Sequence, residues 1–315
     1  MRLAPALLLL AVAASPLAAQ SSSGTGSAPF FVPERNRGFG SLQDAVLAIG
    51  NGSGTIQIAP GLYRQCAVQE AGEVAYVARE PGTVALDGAA CEEKAALVLR
   101  GRAARVEGLT FQNLRVPDAN GAGIRLEQGN LIVRESLFRD SESGILAGND
   151  GGGTILVERS TFSGLGRCDR DLDCAHSIYI GAYRSLAVRD SRFERGRGGH
   201  YVKSRAARIE VTGSSFDDSA GHLTNYMIDL PNGATGLVAD NVFVQGRDKE
   251  NYGAFITVAA EGVVNNSAGL AIRDNEAGMV PGPTRPAAFV ADFTGAPIRI
   301  EGNQLARGIV RYERR

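Results

Sequence analysis

Three short segments carry most of the side chains in this chain that could do chemistry: HSIYIG (His176–Gly181), HYVKSR (His200–Arg205) and YMIDLPNG (Tyr226–Gly233). With Ile178, Val202 and Ile228 turned inward in a common register, His176, His200 and Tyr226 form one column. Tyr179, Lys203 and Asp229 form a second, outward column. Arg205 lies two residues past Lys203 on the same face, about 7 Å along the strand, and Tyr201 is outward on the other side of Lys203. The chain has only three His; two share this register, and His222 sits in a loop beside them. Removal of a proton next to a carboxylate needs a cation to neutralise the carboxylate, a base and an acid. Arg205 suits the first role, being permanently charged and bidentate. Lys203, flanked by cations, would have a depressed pKa and act as base. Tyr179 or His200 would be the acid, Asp229 an orienting group and His176 a supporting one. The plainer reading makes both His inward, satisfied side chains and Lys203–Asp229 an exposed salt bridge of little energetic value.

Local charge adds to the first reading. Between Arg184 and Arg208 there are eight Arg or Lys against Asp190 and Glu194, locally +6 in a chain of net charge −1. A basic groove of this kind suits an acidic glycan, and the near-zero net charge excludes a global pull toward nucleic acid or membranes. The loop Cys168–Cys174 places Asp169, Asp171 and Asp173 in alternation, a set that could bind Ca²⁺. It has neither the Gly nor the distal Glu of an EF-hand, so a solvated acidic loop without a cofactor is the favoured reading. Asp217 and Asp218 could hydrolyse a glycoside as a pair. Their register, shared with Asn113 and Asp140 after a strand, favours a turn role.

These columns presuppose windings stacked in register, and the chain repeats accordingly. The phrases VEGLTF, VRESLF, VERSTF, VRDSRF, VTGSSF and VADNVF end at Phe111, Phe138, Phe162, Phe193, Phe216 and Phe243; weaker copies end at Ala277 and Leu305. The spacings are 27, 24, 31, 23, 27, 34 and 28 residues, as expected for a constant winding with an elastic loop. Five residues before each anchor stands a β-branched residue: Val106, Val133, Val157, Val188, Val211, Val238, Ile272 and Ile300. Two before it, from the second copy on, stand Ser136, Ser160, Ser191, Ser214, Asn241, Asn275 and Asn303, where stacked polar side chains can bond to turn backbone. A second strand follows each anchor. Ser41 can cap a helix over Leu42–Ile49 that covers the open first winding.

At SLQDAVLAIGNGSGTIQIAPGLY (Ser41–Tyr63) the chain resembles the capping helix and first coil of the pectate lyase-like right-handed β-helix superfamily, and the resemblance extends over nearly the whole mature chain. It implies an all-β, single-stranded right-handed parallel β-helix with an N-terminal capping helix. The superfamily includes lyases, hydrolases, epimerases and non-catalytic binding proteins. Similar enzymes use a Lys or Arg base on an outward strand of a groove, and the Lys203/Arg205 pair looks like that arrangement. This chain departs from the pattern in having no acidic cluster on that face for the calcium many such lyases need, which points to a metal-independent Tyr/His route or to another reaction. The resulting expectation is a polysaccharide lyase or related uronate-active enzyme working by β-elimination on an acidic polysaccharide, with Arg205, Tyr201, Asp229, His176 and Tyr226 holding substrate. The alternative is a non-catalytic carbohydrate-binding β-helix of the cell envelope.

Arg2, the apolar run Leu3–Ala14 and the small residues to Gln20 read as a signal peptide over residues 1–19, too short to span a bilayer. Residues 20–36 follow as a flexible leader and 37–315 as the β-helix domain. The mature protein is expected to be exported, periplasmic or extracellular, monomeric and without a membrane span. Four Cys in such a chain make two disulfides, with Cys66–Cys91 and Cys168–Cys174 as the nearest-neighbour pairing among three.

Overall fold

The computed structural model describes residues 28–169, 172–282 and 285–315. The expected signal peptide, the start of the expected leader and Asp171 lie outside the described residues. The rest winds as a right-handed parallel β-helix whose strands stack into three walls of 12, 10 and 10 strands.

The first wall stacks the β-branched column, pairing Val133 with Val106 and Val157 and continuing through Val188, Val211, Val238 and Ile272 to Ile300. Each winding then turns into the second wall on one left-handed residue, such as Glu135 (φ 48°) or Asp190 (φ 48°). The Ser/Asn column locks that corner. The backbone N–H of each member donates to the side-chain oxygen of the next: Ser160 to Ser191 Oγ (3.2 Å), Ser214 to Asn241 Oδ1 (3.0 Å), Asn275 to Asn303 Oδ1 (3.0 Å). Corner amides that would otherwise be buried unpaired are thereby satisfied.

The anchors fill the interior behind the corner. Phe111, Phe138, Phe162, Phe193, Phe216 and Phe243 stack face to face, ring centroids 4.8–4.9 Å apart, at the strand-to-strand spacing. The N-terminal end is closed by the helix Leu42–Ile49, capped by Ser41 Oγ accepting from the Asp44 N–H. Its Gln43 side chain accepts from the Val68 N–H (2.7 Å) and donates to the Val68 carbonyl (3.0 Å), satisfying the edge strand of the third wall. Residues 30–36, expected within the flexible leader, are instead structured. Phe30–Val32 pairs antiparallel with Arg37–Phe39 and with Gln57–Ile58, and Phe30 and Val32 are buried. Cys66–Cys91 and Cys168–Cys174 are both disulfide-bonded, which fits an exported protein. Among the described residues no helix is long and apolar enough to cross a membrane.

Candidate functional site

The third wall carries the candidate groove. Ile178 pairs with Val202 and Val202 with Ile228, so Tyr179, Lys203 and Asp229 occupy equal places on adjacent windings. The same outward column runs back through Leu146 to Arg125. A cavity of about 520 Å³ opens over these strands, lined by Arg125, His176, Tyr179, His200, Lys203 and Arg205 on its floor and by Asn120, Asp173, Asn225, Glu250 and Glu261 from loops.

Alternation fails one residue before the strand. The chain enters the strand Val202–Ser204 through Gly198 (φ 137°) and Gly199 (φ 62°), where a Cβ on Gly199 would lie 2.1 Å from the Ala175 carbonyl oxygen. The expected faces of the next two residues are swapped. His200 looks into the groove, and Tyr201 goes into the interior, 1% exposed, between Phe193 and Phe216. Its hydroxyl donates to Asp218 Oδ1 (2.8 Å). Met227 and Phe255 are buried at the equal place in the next windings. Tyr201 is therefore a core residue and not a sugar platform.

Arg205 and Lys203 share one partner that the sequence did not suggest. Glu261 Oε1 accepts from Lys203 Nζ (2.6 Å) and Glu261 Oε2 from Arg205 Nη2 (2.5 Å). Arg205 also donates through Nε to the Tyr179 hydroxyl oxygen (2.9 Å) and through Nη1 to Asn232 Oδ1 (2.7 Å). Asp229 lies beneath, 3% exposed, with Oδ1 accepting from Thr257 Oγ1 (2.6 Å) and Oδ2 lying 3.4 Å from Lys203 Nζ. Burial pushes the Asp229 carboxyl upward, against the pull of Thr257 and Lys203. For Lys203 burial acts to lower the pKa, but the Glu261 hydrogen bond and the charges of Asp229 and Glu261 outweigh it, and the pKa is raised. The depressed lysine base expected from neighbouring cations is thus corrected: anions surround that ammonium.

The two imidazoles behave differently. Burial, reinforced by Lys203 and Arg205, brings His176 down to about 3. Burial, with His176 and Lys203 adding repulsion, puts His200 well below its ordinary value. Both are neutral at neutral pH. The His200 backbone N–H donates to His176 Nδ1 (3.0 Å), which makes that nitrogen the unprotonated one. His200 Nδ1 lies 3.3 Å from the same atom. His200 Nε2 lies 3.5 Å from Asp229 Oδ2.

A stability prediction follows, with its sign. The unfolded chain takes up protons on these His below about 6.5, whereas the folded chain does not until far lower pH. Stability therefore falls as pH drops from about 6.5 toward about 3, by roughly 1.4 kcal/mol per pH unit for His176, with His200 acting in the same direction. Urea unfolding at stepped pH should show this slope, and His176→Asn should reduce it; an unchanged slope in that variant would refute the assignment.

Other expected members are elsewhere. Tyr226 stacks near His200 (centroids 5.8 Å), but its hydroxyl accepts from Asn251 Nδ2 (2.6 Å) and it does not line the groove. Asp229, buried below the floor, does not line it either. Asp169 accepts from Arg167 Nε (2.7 Å), while Asp173 lines the groove. The one cluster of potential metal ligands among the described residues is Cys168, Cys174 and Glu250, whose sulfurs are joined to each other. Asp218 is fully buried against Lys249 Nζ (3.0 Å), and Asp217 Oδ1 accepts from the Ser219 N–H, so the two do not form a hydrolytic pair. His222, exposed, pairs with Asp248. The basic run disperses over the walls: Arg189 bonds Glu210, Arg192 bonds Glu194 and Arg197 bonds Asp140. The groove lining balances Arg125, Lys203 and Arg205 against Asp173, Glu250 and Glu261 and is not basic overall.

A family model described as right-handed beta helix region matches residues 91–279. The chain belongs to that right-handed β-helix family. No curated protein matches it. Among solved structures it is similar to a PL6-family alginate lyase, AlyGC, with TM-score 0.50 and 13% identity over 84% of this chain and 39% of that one. It is also similar to the Streptococcus pneumoniae surface protein and adhesin PfbA, with TM-score 0.50 and 11% identity over 87% of this chain and 94% of that one. The chain thus spans well under half the length of the lyase. At these identities the likeness is one of fold.

Proposed function

We propose that this β-helix protein is a polysaccharide lyase that binds a uronate-containing glycan in the third-wall groove and cleaves it by β-elimination. The observation that carries the reading is the convergence of Arg205, Lys203, Tyr179 and a neutral His200 on adjacent windings within one groove. Arg205 and Lys203 hold the substrate carboxylate and make the adjacent C–H acidic. His200 Nε2 takes that proton, and Asp229 beside it stabilises the imidazolium that forms. The C–H electron pair becomes the new C=C bond as the glycosidic C–O bond breaks. The leaving oxygen takes the Tyr179 hydroxyl proton, which is free because that oxygen accepts, rather than donates to, Arg205 Nε–H. His200 thus takes the role of base that the sequence reading gave to Lys203, and Tyr179 keeps that of acid.

The test is incubation with alginate, polygalacturonate and glucuronan while following the ultraviolet absorbance of an unsaturated uronyl product; alginate comes first because one structural neighbour is an alginate lyase. Activity on at least one polymer, lost in Tyr179→Phe and His200→Ala, is the expected outcome. Saturable binding without product on any polymer would support the second reading, a glycan-binding module. That reading is favoured by one observation, the pairing of Lys203 and Arg205 with a carboxylate of the protein itself.

A further inference from the structure

The groove contains a carboxylate in the place where the proposed function, on which this inference rests, requires one from substrate. Glu261 presents two oxygens to two different cations, Oε1 to Lys203 Nζ and Oε2 to Arg205 Nη2. Counting charge without Glu261 identifies the ligand class. Lys203 would keep Asp229. Arg205 would keep only the neutral Tyr179 and Asn232. One uncompensated positive charge with two converging donors calls for a planar monoanion, a carboxylate. We infer that Glu261 is an internal ligand of a one-carboxylate subsite, and that a uronate enters by displacing it.

The position of Glu261 suits displacement. Its side chain is 43% exposed, and it stands in a loop after the strand Ala254–Val258, followed by Gly262 at φ 112°. The next residues, Val263 and Val264, are 60% and 76% exposed. The loop hangs on backbone bonds from Glu261 to Pro231 and from Val264 and Asn265 to Asn232. Swinging the carboxylate aside breaks none of these and opens no part of the core. A tethered carboxylate competes at an effective concentration in the millimolar range, so its removal should raise affinity for free carboxylates.

The experiment measures binding of glucuronate and galacturonate monosaccharides by titration calorimetry to the full chain and to Glu261→Ala and the near-isosteric Glu261→Gln. Galactose and a sugar sulfate monoester serve as comparison ligands. Glu135→Ala, which removes an exposed partner of Arg159 away from the groove, controls for generic loss of negative charge. The expected result is at least a tenfold lower Kd for the uronates in both Glu261 variants, no gain for galactose, and loss of the gain in Arg205→Ala/Glu261→Ala. Unchanged or weaker uronate binding in both variants, an equal gain in Glu135→Ala, or a larger gain for the sulfate would overturn the inference. A lowered melting temperature without an affinity gain would also overturn it, making Glu261 a loop staple. Because the readout is monosaccharide binding, it stands apart from whether polymers are cleaved.

Discussion

On the proposed lyase mechanism, Arg205→Ala should lower kcat/KM by about 10²–10³-fold, the usual loss when a preorganised donor to developing negative charge is removed. Arg205 makes four things meet: a bond to Tyr179 that leaves the phenolic proton free, a bond to Asn232 that fixes the guanidinium, the contact with Glu261, and a place on the groove floor. Arg205→Lys should recover little, since an ammonium cannot span Tyr179, Asn232 and a carboxylate at once. Initial rates below saturation give the ratio directly. Retention of activity within about twofold in Arg205→Ala would remove Arg205 from the mechanism.

The largest stability effect should come from Lys249→Met. The side chains of Lys249 and Asp218 are without exposure, in a network with Tyr201, Thr224 and the Gly246 N–H. Removing the cation strands a carboxylate in the interior, which costs about 3–5 kcal/mol. Asp218→Asn combined with Lys249→Met should recover a large part, because the desolvation of both charges then disappears. Lys249 Nζ also donates to the Asn225 carbonyl (2.7 Å), so the groove rim should loosen with it. A solenoid opens by neighbouring windings more readily than all at once, so hydrogen exchange of amides near Gly199 and Thr224 is the discriminating measurement alongside urea unfolding. A loss below about 1 kcal/mol would mean that the charges are solvated.

The winding was legible because its determinants recur. One β-branched column, one Ser/Asn column and one Phe column each map onto a ladder of the structure. The cross-winding neighbours Tyr179, Lys203 and Asp229 were legible for the same reason. Tyr201 was misread because alternation is a rule of extended backbone, and it lapses at this corner in successive windings, where Met227 and Phe255 are buried at the equal place. Glu261 was illegible because its loop sits 58 residues from Lys203 in sequence and no repeat fixes where a loop side chain reaches. The charge run between Arg184 and Arg208 looked like a patch, but it spans most of a winding and so visits all three walls. Arg125 could have been found: two more steps back along the Tyr179 column reach it.

Floor and rim come from separable stretches of chain. Tyr179, Lys203 and Arg125 are held by strand pairing that tolerates 23 to 34 residues between anchors, whereas Asp173, Glu250 and Glu261 arrive on the connecting loops. On the proposed function, reaction type and sugar preference can therefore diverge independently in descendants of such a chain. Exchanging a connecting segment between its corners would retune which polymer is admitted while leaving the chemistry untouched, and inserting one whole winding would lengthen the row of contacts by a single saccharide-facing step.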